Sequence, residues 1–144
     1  MQDFDLKLVE ETLASSAIAH VDYAASFNAA RQSGVHTSTF YVLSVTDDFK
    51  ERSSTSSLDI YDATHTFAVM IVIPCMAGNF ETEERIKNLV RQVREEITGK
   101  VYLDYQAVKL AKGQLVELNT KTNNYIYQQN FKVSGYLQVP HSKP

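Results

Sequence analysis

The stretch Tyr61 to Pro74 (YDATHTFAVMIVIP) constrains this chain most, because every residue from Phe67 to Ile73 is apolar. A run this short, rich in β-branched residues and closed by a proline, reads as a strand rather than a helix. Neither of its faces can tolerate water, so it must sit centrally in a sheet and be covered on both sides. Pro74 has no N–H to donate and stops the ladder there. The rest of the chain must supply the neighbouring strands and the covering layers.

The clearest cover is a helix over 81–98, whose amphipathic body spans 82–98. Ile86, Leu89, Val90, Val93 and Ile97 fall on one stripe at helical spacing, and Gly99 ends the element. Asn79 or Thr82 is placed to cap it, with Glu81, Glu83 and Glu84 at the positive end of its dipole. Glu81–Arg85, Glu83–Lys87 and Arg91–Glu95 stand four apart on the wet side. From Asp5 a shorter helix is expected, with Leu6, Val9 and Leu13 facing inward and Asp3 or Asp5 as its cap. An alanine-rich piece, Tyr23 to Gln32, is anchored by Phe27 and ended by Gly34.

Further strands are expected at Thr39 to Val45 (TFYVLSV), Tyr105 to Leu110 and Gln114 to Asn119, the last two joined by a turn at Ala111-Lys112-Gly113. Asn123 and Asn124 mark another turn. From Tyr125 to Val139 apolar and polar residues alternate, as in a long strand with one packed and one wet face. The polar, serine-rich segment 46–60 reads as a long loop or mobile hairpin tip, and His141 to Pro144 as a tail. At 144 residues the chain has the commonest domain size. The expectation is one α+β domain over 1–144: a mostly antiparallel sheet of about five strands, the helix 82–98, and an N-terminal helix packed on it.

The formal net charge of -3 is too small to draw the whole molecule to nucleic acid or an anionic membrane. A single cysteine, Cys75, rules out an internal disulfide framework and suits a reducing compartment. The first residues carry Asp3 and Asp5 where a signal peptide would carry Lys or Arg. The longest apolar run falls far short of the ~20 residues a bilayer span needs. A soluble protein is expected.

No catalytic signature stands out. His20, His36, His65 and His141 have no partners at metal-ligand spacing. His65, on the central strand, reads as a hydrogen-bonded core histidine, and Cys75 as a small half-buried hydrophobe. Neither nucleotide-cradling glycine loops nor a nucleophile elbow occurs. Asp47, Asp48 and Glu51 lack calcium-loop spacing and read as solvated. Tyr125 and Tyr127 share a strand face and suit packing or an interface. No cofactor and no enzymatic activity are expected.

The order of these elements resembles the tail terminator (tail completion) proteins of long-tailed bacteriophages and prophages. Thr66-Phe67-Ala68-Val69 matches that family's apolar strand, with Thr66 where Arg or Lys is common. Ile86, Leu89, Val93, Ile97 and Gly99 match its helix, with Lys100 where tryptophan often stands. Gly113-Gln114-Leu115 matches its turn, and the likeness covers roughly residues 35 to 137. The resemblance implies a structural virion subunit that assembles as a ring, typically a hexamer. The ring would cap the tail tube, end its polymerisation and prepare head–tail joining. Its partners would be copies of itself, the tail tube protein and a head-completion or connector protein, in the host cytoplasm during assembly and then in the virion tail. No membrane and no specific nucleic acid enters. Within segment 46–60, Glu51, Arg52, Leu58 and Ile60 are the candidate subunit-interface residues. The alternatives are another head–tail connector, or a small enzyme or ligand-binding domain. In the latter a pocket would open between helix and sheet, with His65, Asp62 and Tyr105 as its polar groups.

Overall fold

A computed structural model describes residues 4–74, 79–119 and 124–141, without the side chains of residues 79–81 and 119. In chain order the elements are α1 (Lys7–Ser16), β1 (His20–Val21), a single 3-10 turn (Ala24–Ser26), α2 (Phe27–Ser33), β2 (Thr39–Ser54), β3 (Leu58–Pro74), α3 (Asn79–Ile97), β4 (Lys109–Asn119) and β5 (Asn124–Pro140). One five-stranded sheet has the order β1-β2-β3-β5-β4. Its pairings are antiparallel except for the short parallel contact of β1 with β2. The α+β expectation holds.

The apolar run in β3 is central, as its composition requires, with Phe67 to Ile73 all buried. Strand alternation sends Phe67, Val69, Ile71 and Ile73 to one face, beside Phe40, Val42, Phe131 and Val133, under α1 and α3. Val9 and Leu13 of α1 and Ile86, Val90, Val93 and Ile97 of α3 close this layer. Ala68, Met70 and Val72 point the other way with Tyr41 and Ile126, beneath Phe27 and Ala30. The alanine-rich piece is therefore the cover of the second face. Asp5 accepts a hydrogen bond from the Lys7 amide at 3.0 Å at the start of α1. Gly34 and Gly99 take positive φ, 83° and 87°, just past α2 and α3, where a side chain would be strained.

Four expectations are corrected. Segment 46–60 is not a long loop. Residues 46–54 pair with 59–66, and only Thr55, Ser56 and Ser57 turn. Ser and Thr side chains bury little but leave the backbone free to form a ladder, and β5 adds a third strand that pairs as far as Pro140 with Leu58. The Ala111-Lys112-Gly113 turn is instead a break in register inside one strand, β4, which begins at Lys109. Tyr105 belongs to the preceding connection, where Tyr105 and Tyr102 turn into the core. Asn124 opens β5 rather than a turn. Its fully buried amide donates to Ala30 O at 2.8 Å and accepts from the Val35 amide at 3.3 Å, holding the α2 cover to the sheet.

The helix-surface pairs also differ. Lys87 lies 3.9 Å from Glu84, and Arg91 donates to Asn88 at 3.4 Å. Both are exposed contacts that contribute little. Thr82 is buried within α3 rather than capping it. Asp3, Cys75, Asn123 and the side chains of Asn79 and Glu81 lie outside what is described.

Candidate functional site

Past residue 44 the helices end and the sheet does not. Residues 46–54 of β2, 58–66 of β3 and 132–140 of β5 continue as a three-stranded arm, about 30 Å long at ~3.3 Å per residue. Every residue of β2 from Ser44 outward is exposed. Register and alternation place Phe49, Tyr61, Ala63, Leu137 and Val139 on the face that carries α1 and α3 further back. Asp48, Lys50, Asp62, Thr64 and Tyr136 lie on the opposite face. The first face also carries Asp47, Glu51 and Asp59, and the second Leu58 and Ile60, so both are mixed; the apolar patch of the first runs on from the core without a helix above it. Phe49 is 48% exposed there.

A network at the tip keeps the arm together. The Asp59 carboxylate accepts from Ser54 Oγ at 2.5 Å, from the Tyr61 hydroxyl at 3.2 Å and from His141 Nε2 at 3.0 Å. Ser54 and then His141 hold this carboxyl below its ordinary pKa. The Tyr61 phenol, donating to the same anion, is held above its own. Thr55 Oγ1 donates to Leu58 O and accepts from the Leu58 amide, both at 3.0 Å, closing the turn. The His141 amide donates to Ser57 O at 2.8 Å, so the end of β5 is tied to the tip.

The four candidate interface residues all lie on this arm, in ladder rather than loop. Arg52 pairs within its own chain, with Asp62 at 2.8 Å. Leu58 and Ile60 are half-buried opposite Pro140 and Gln138 of β5. Glu51 stands opposite Tyr61 and is exposed. Phe49, Leu137 and Val139 were not singled out from the sequence. Alternation along β5 marks the last two as inward, but only the register with β2 and β3 reveals that no layer covers them.

A pocket opens at the root of the arm, where the pairing of β2 slips between Ser44 and Thr46. It encloses about 290 Å³ between Phe4, Phe49 and Phe67, with Ser44, Asp47 and His65 among its polar walls. Asp47 Oδ1 lies 2.6 Å from His65 Nδ1. Phe4 stacks over both His65 and Phe67, and Tyr105 meets His65 edge-on at 5.7 Å. Of the three polar groups expected to converge, His65 and Tyr105 do. Asp62 faces the other way, and Asp47 takes its place. On the same side as α3, the far margin of the sheet carries Leu110, Leu115 and Leu118, each about half exposed, along the unpaired edge of β4. Among the described residues no three His, Cys, Asp or Glu side chains converge to hold a metal, and no helix is long and apolar enough to cross a membrane.

No protein-family model matches the chain, and no curated protein matches its sequence. The two features that stand apart chemically are a bare sheet arm and an aromatic pocket holding one carboxylate–imidazole pair. The first is suited to assembly, the second to binding a small group.

Proposed function

We propose that this chain is a structural assembly subunit whose uncovered arm docks on a neighbouring copy, and that it acts as a tail-terminator-type ring on a phage or prophage tail tube. The observation that carries this reading is the arm itself. Its root is packed against Phe4 and Tyr105, with His65 and Val133 buried, but among the described residues its outer part has no second layer. Such strands are marginal alone in water, and an apolar patch left open is normally an interface. Phe49, Tyr61, Leu137 and Val139 would supply the buried centre of that interface. Glu51 would flank it on that face, while Leu58 and Ile60 lie on the opposite face with Asp62, the partner of Arg52, and would serve a second contact; the charges fix register more than affinity.

Two unlike edges support a ring over a two-fold dimer. Among the described residues, the outer edge of β2 beyond Phe40 has no strand beside it, and the outer edge of β4 at the opposite margin has none either. Joining β2 of one copy to β4 of the next is a heterologous contact, which closes into a ring when the rotation per subunit allows. A hexamer that ends tube polymerisation and then receives a connector is the form proposed. Among the described residues an enzymatic alternative would work with the Asp47–His65 pair and the Ser44 and Thr66 hydroxyls of the same pocket.

Light scattering coupled to size exclusion, with negative-stain images, tests this proposal. Rings formed alone or on tail-tube protein are expected. Phe49→Ser should leave a folded chain that does not form them. A wild-type chain that stays monomeric at high concentration and in the presence of tube protein overturns the reading.

A further inference from the structure

We propose that the pocket at the root of the arm is a binding site for an organic cation of the guanidinium type. Asp47 supplies a carboxylate whose side chain is 49% exposed, engaged through one oxygen by His65. Among the described residues no Lys or Arg pairs with it. The nearest basic residues in sequence are turned elsewhere: Lys50 lies on the opposite face of the arm, and Arg52 is taken by Asp62.

Around that anion stand rings. Phe4, Phe49 and Phe67 line the cavity, with Phe49 edge-on to His65 at 6.1 Å and Phe4 stacked above His65 at 6.2 Å. Aromatic faces carry partial negative charge and attract cations. A carboxylate set among them therefore repels an anion, and a neutral apolar guest would offer no donor to the carboxylate oxygen that His65 does not engage. A planar guanidinium satisfies both parts of the site: its N–H groups donate to the carboxylate while its face lies on a ring, which a compact ammonium does less well. Size agrees, since 290 Å³ lies at the lower limit of small-molecule sites and suits a group no larger than one side chain. Between residues 46 and 62 the arm carries five carboxylates (Asp47, Asp48, Glu51, Asp59, Asp62) against Lys50 and Arg52, so its field also favours a cation.

Two sources offer this chemistry, the arginine side chain of a docked protein and a free guanidino compound. The site does not depend on ring assembly, and the two proposals can fail separately.

The experiment is a titration of the full chain followed by NMR signals of Phe4, Phe49 and His65, with methylguanidinium as ligand and N-methylurea, its neutral isostere, as control. Saturable shifts with a Kd on the order of 1 mM are expected for methylguanidinium, with methylurea at least about tenfold weaker. Asp47→Asn should weaken the cation about tenfold or more while the remaining spectrum stays that of the folded protein. Phe49→Leu leaves the Asp47–His65 pair in place and should weaken it severalfold. No saturation by methylguanidinium, equal binding of methylurea, or unchanged affinity in Asp47→Asn would each overturn the proposal. Where oligomers form, their dissociation by saturating methylguanidinium identifies a neighbour's arginine as the natural occupant. Binding that leaves them intact identifies a free guanidino compound.

Discussion

Replacing Gly113 with alanine would set a methyl group 2.5 Å from the Tyr127 hydroxyl, 2.7 Å from Gln129 Oε1 and 3.0 Å from Arg94 Nη2. Gly113 does not lie in the left-handed region, so any penalty comes from contact rather than from φ. None of the three neighbours yields cheaply. Gln129 is fully buried: its Oε1 accepts from Arg94 Nε at 2.8 Å, and its Nε2 reaches the carbonyls of Asn130, Ala111 and Lys112 at 3.0, 3.3 and 3.4 Å. Tyr127 ends in a stiff ring whose hydroxyl accepts from Arg94 Nη2 at 3.1 Å. Either the methyl is squeezed in, costing about 1–3 kcal/mol of overpacking, or it displaces a charge-assisted hydrogen bond worth about 1.5–3 kcal/mol. Loss of glycine freedom in the unfolded chain returns about 0.4–1 kcal/mol. The net is a destabilisation of roughly 0.5–2.5 kcal/mol, or a Tm lower by about 2–8 °C for a domain of this size. Urea denaturation followed by circular dichroism measures it. In a Tyr127→Phe background the nearest clashing atom is gone, and the cost of Gly113→Ala should fall by about half. If Gly113→Ala is as stable as the parent, or more so, at unchanged m-value, the polar network over β4 does not hold as described.

Other substitutions test other parts of the molecule. Ile71 is fully buried at the centre of β3. Ile71→Asp would bury an unpaired carboxylate at a cost of several kcal/mol, roughly 4 or more, and should abolish the folded circular-dichroism spectrum. A folded Ile71→Asp chain of unchanged Tm would remove the central-strand assignment. The Thr12–Tyr102 hydroxyl contact of 2.7 Å joins α1 to the connection before β4, so Tyr102→Phe should cost about 1 kcal/mol by urea denaturation. Since the folded-state pKa of Asp59 is depressed, chiefly by Ser54 and then by His141, its stabilisation of the arm tip is complete above the ordinary carboxylate range. That stabilisation is lost as pH falls through the lowered value. Amide exchange at Leu58 and His141 should quicken in acid relative to the core, and Asp59→Asn should flatten that dependence. Deleting Ser53 to Ser57 removes the Ser54 donor and the turn, so it should fray the outer ladder while leaving the melting of the β3 core within about 0.5 kcal/mol. An unfolded deletion variant would show that the arm is integral to the domain.

Local chemistry carried much of the architecture. The apolar run of β3, the stripe on α3, Gly34 and Gly99 after their helices and the alternation along β5 each state their structural role within a few residues. Period and burial are local consequences of where apolar side chains fall. The candidate site was legible only in part. The arm's location could be read from residues 46–60, and Glu51, Arg52, Leu58 and Ile60 do lie on it. Its form could not, because a serine-rich ladder owes its hydrogen bonds to partners elsewhere in the chain, here the far half of β5. Of the polar groups expected in the alternative pocket, Asp62 fails for a similar reason. Asp62 is closer in sequence, but strand alternation turns it to the other face, and the β2–β3 register sets Asp47 opposite His65.

The sequence by itself thus determined the central strand, the major helix and the long final strand, which of their faces must be dry, and that a sheet with a doubly buried central strand needs two covers. Tertiary structure alone decided the register of β2, β3, β5 and β4, and with it three things: an arm whose outer part has no second layer among the described residues, a pocket under Phe4, and Gly113 beneath a buried glutamine. The physical reason is range. Apolar spacing and turn chemistry act over a handful of residues, whereas register is chosen by hydrogen bonds and packing between segments far apart in the chain, as in the pairing of Leu58 with Pro140.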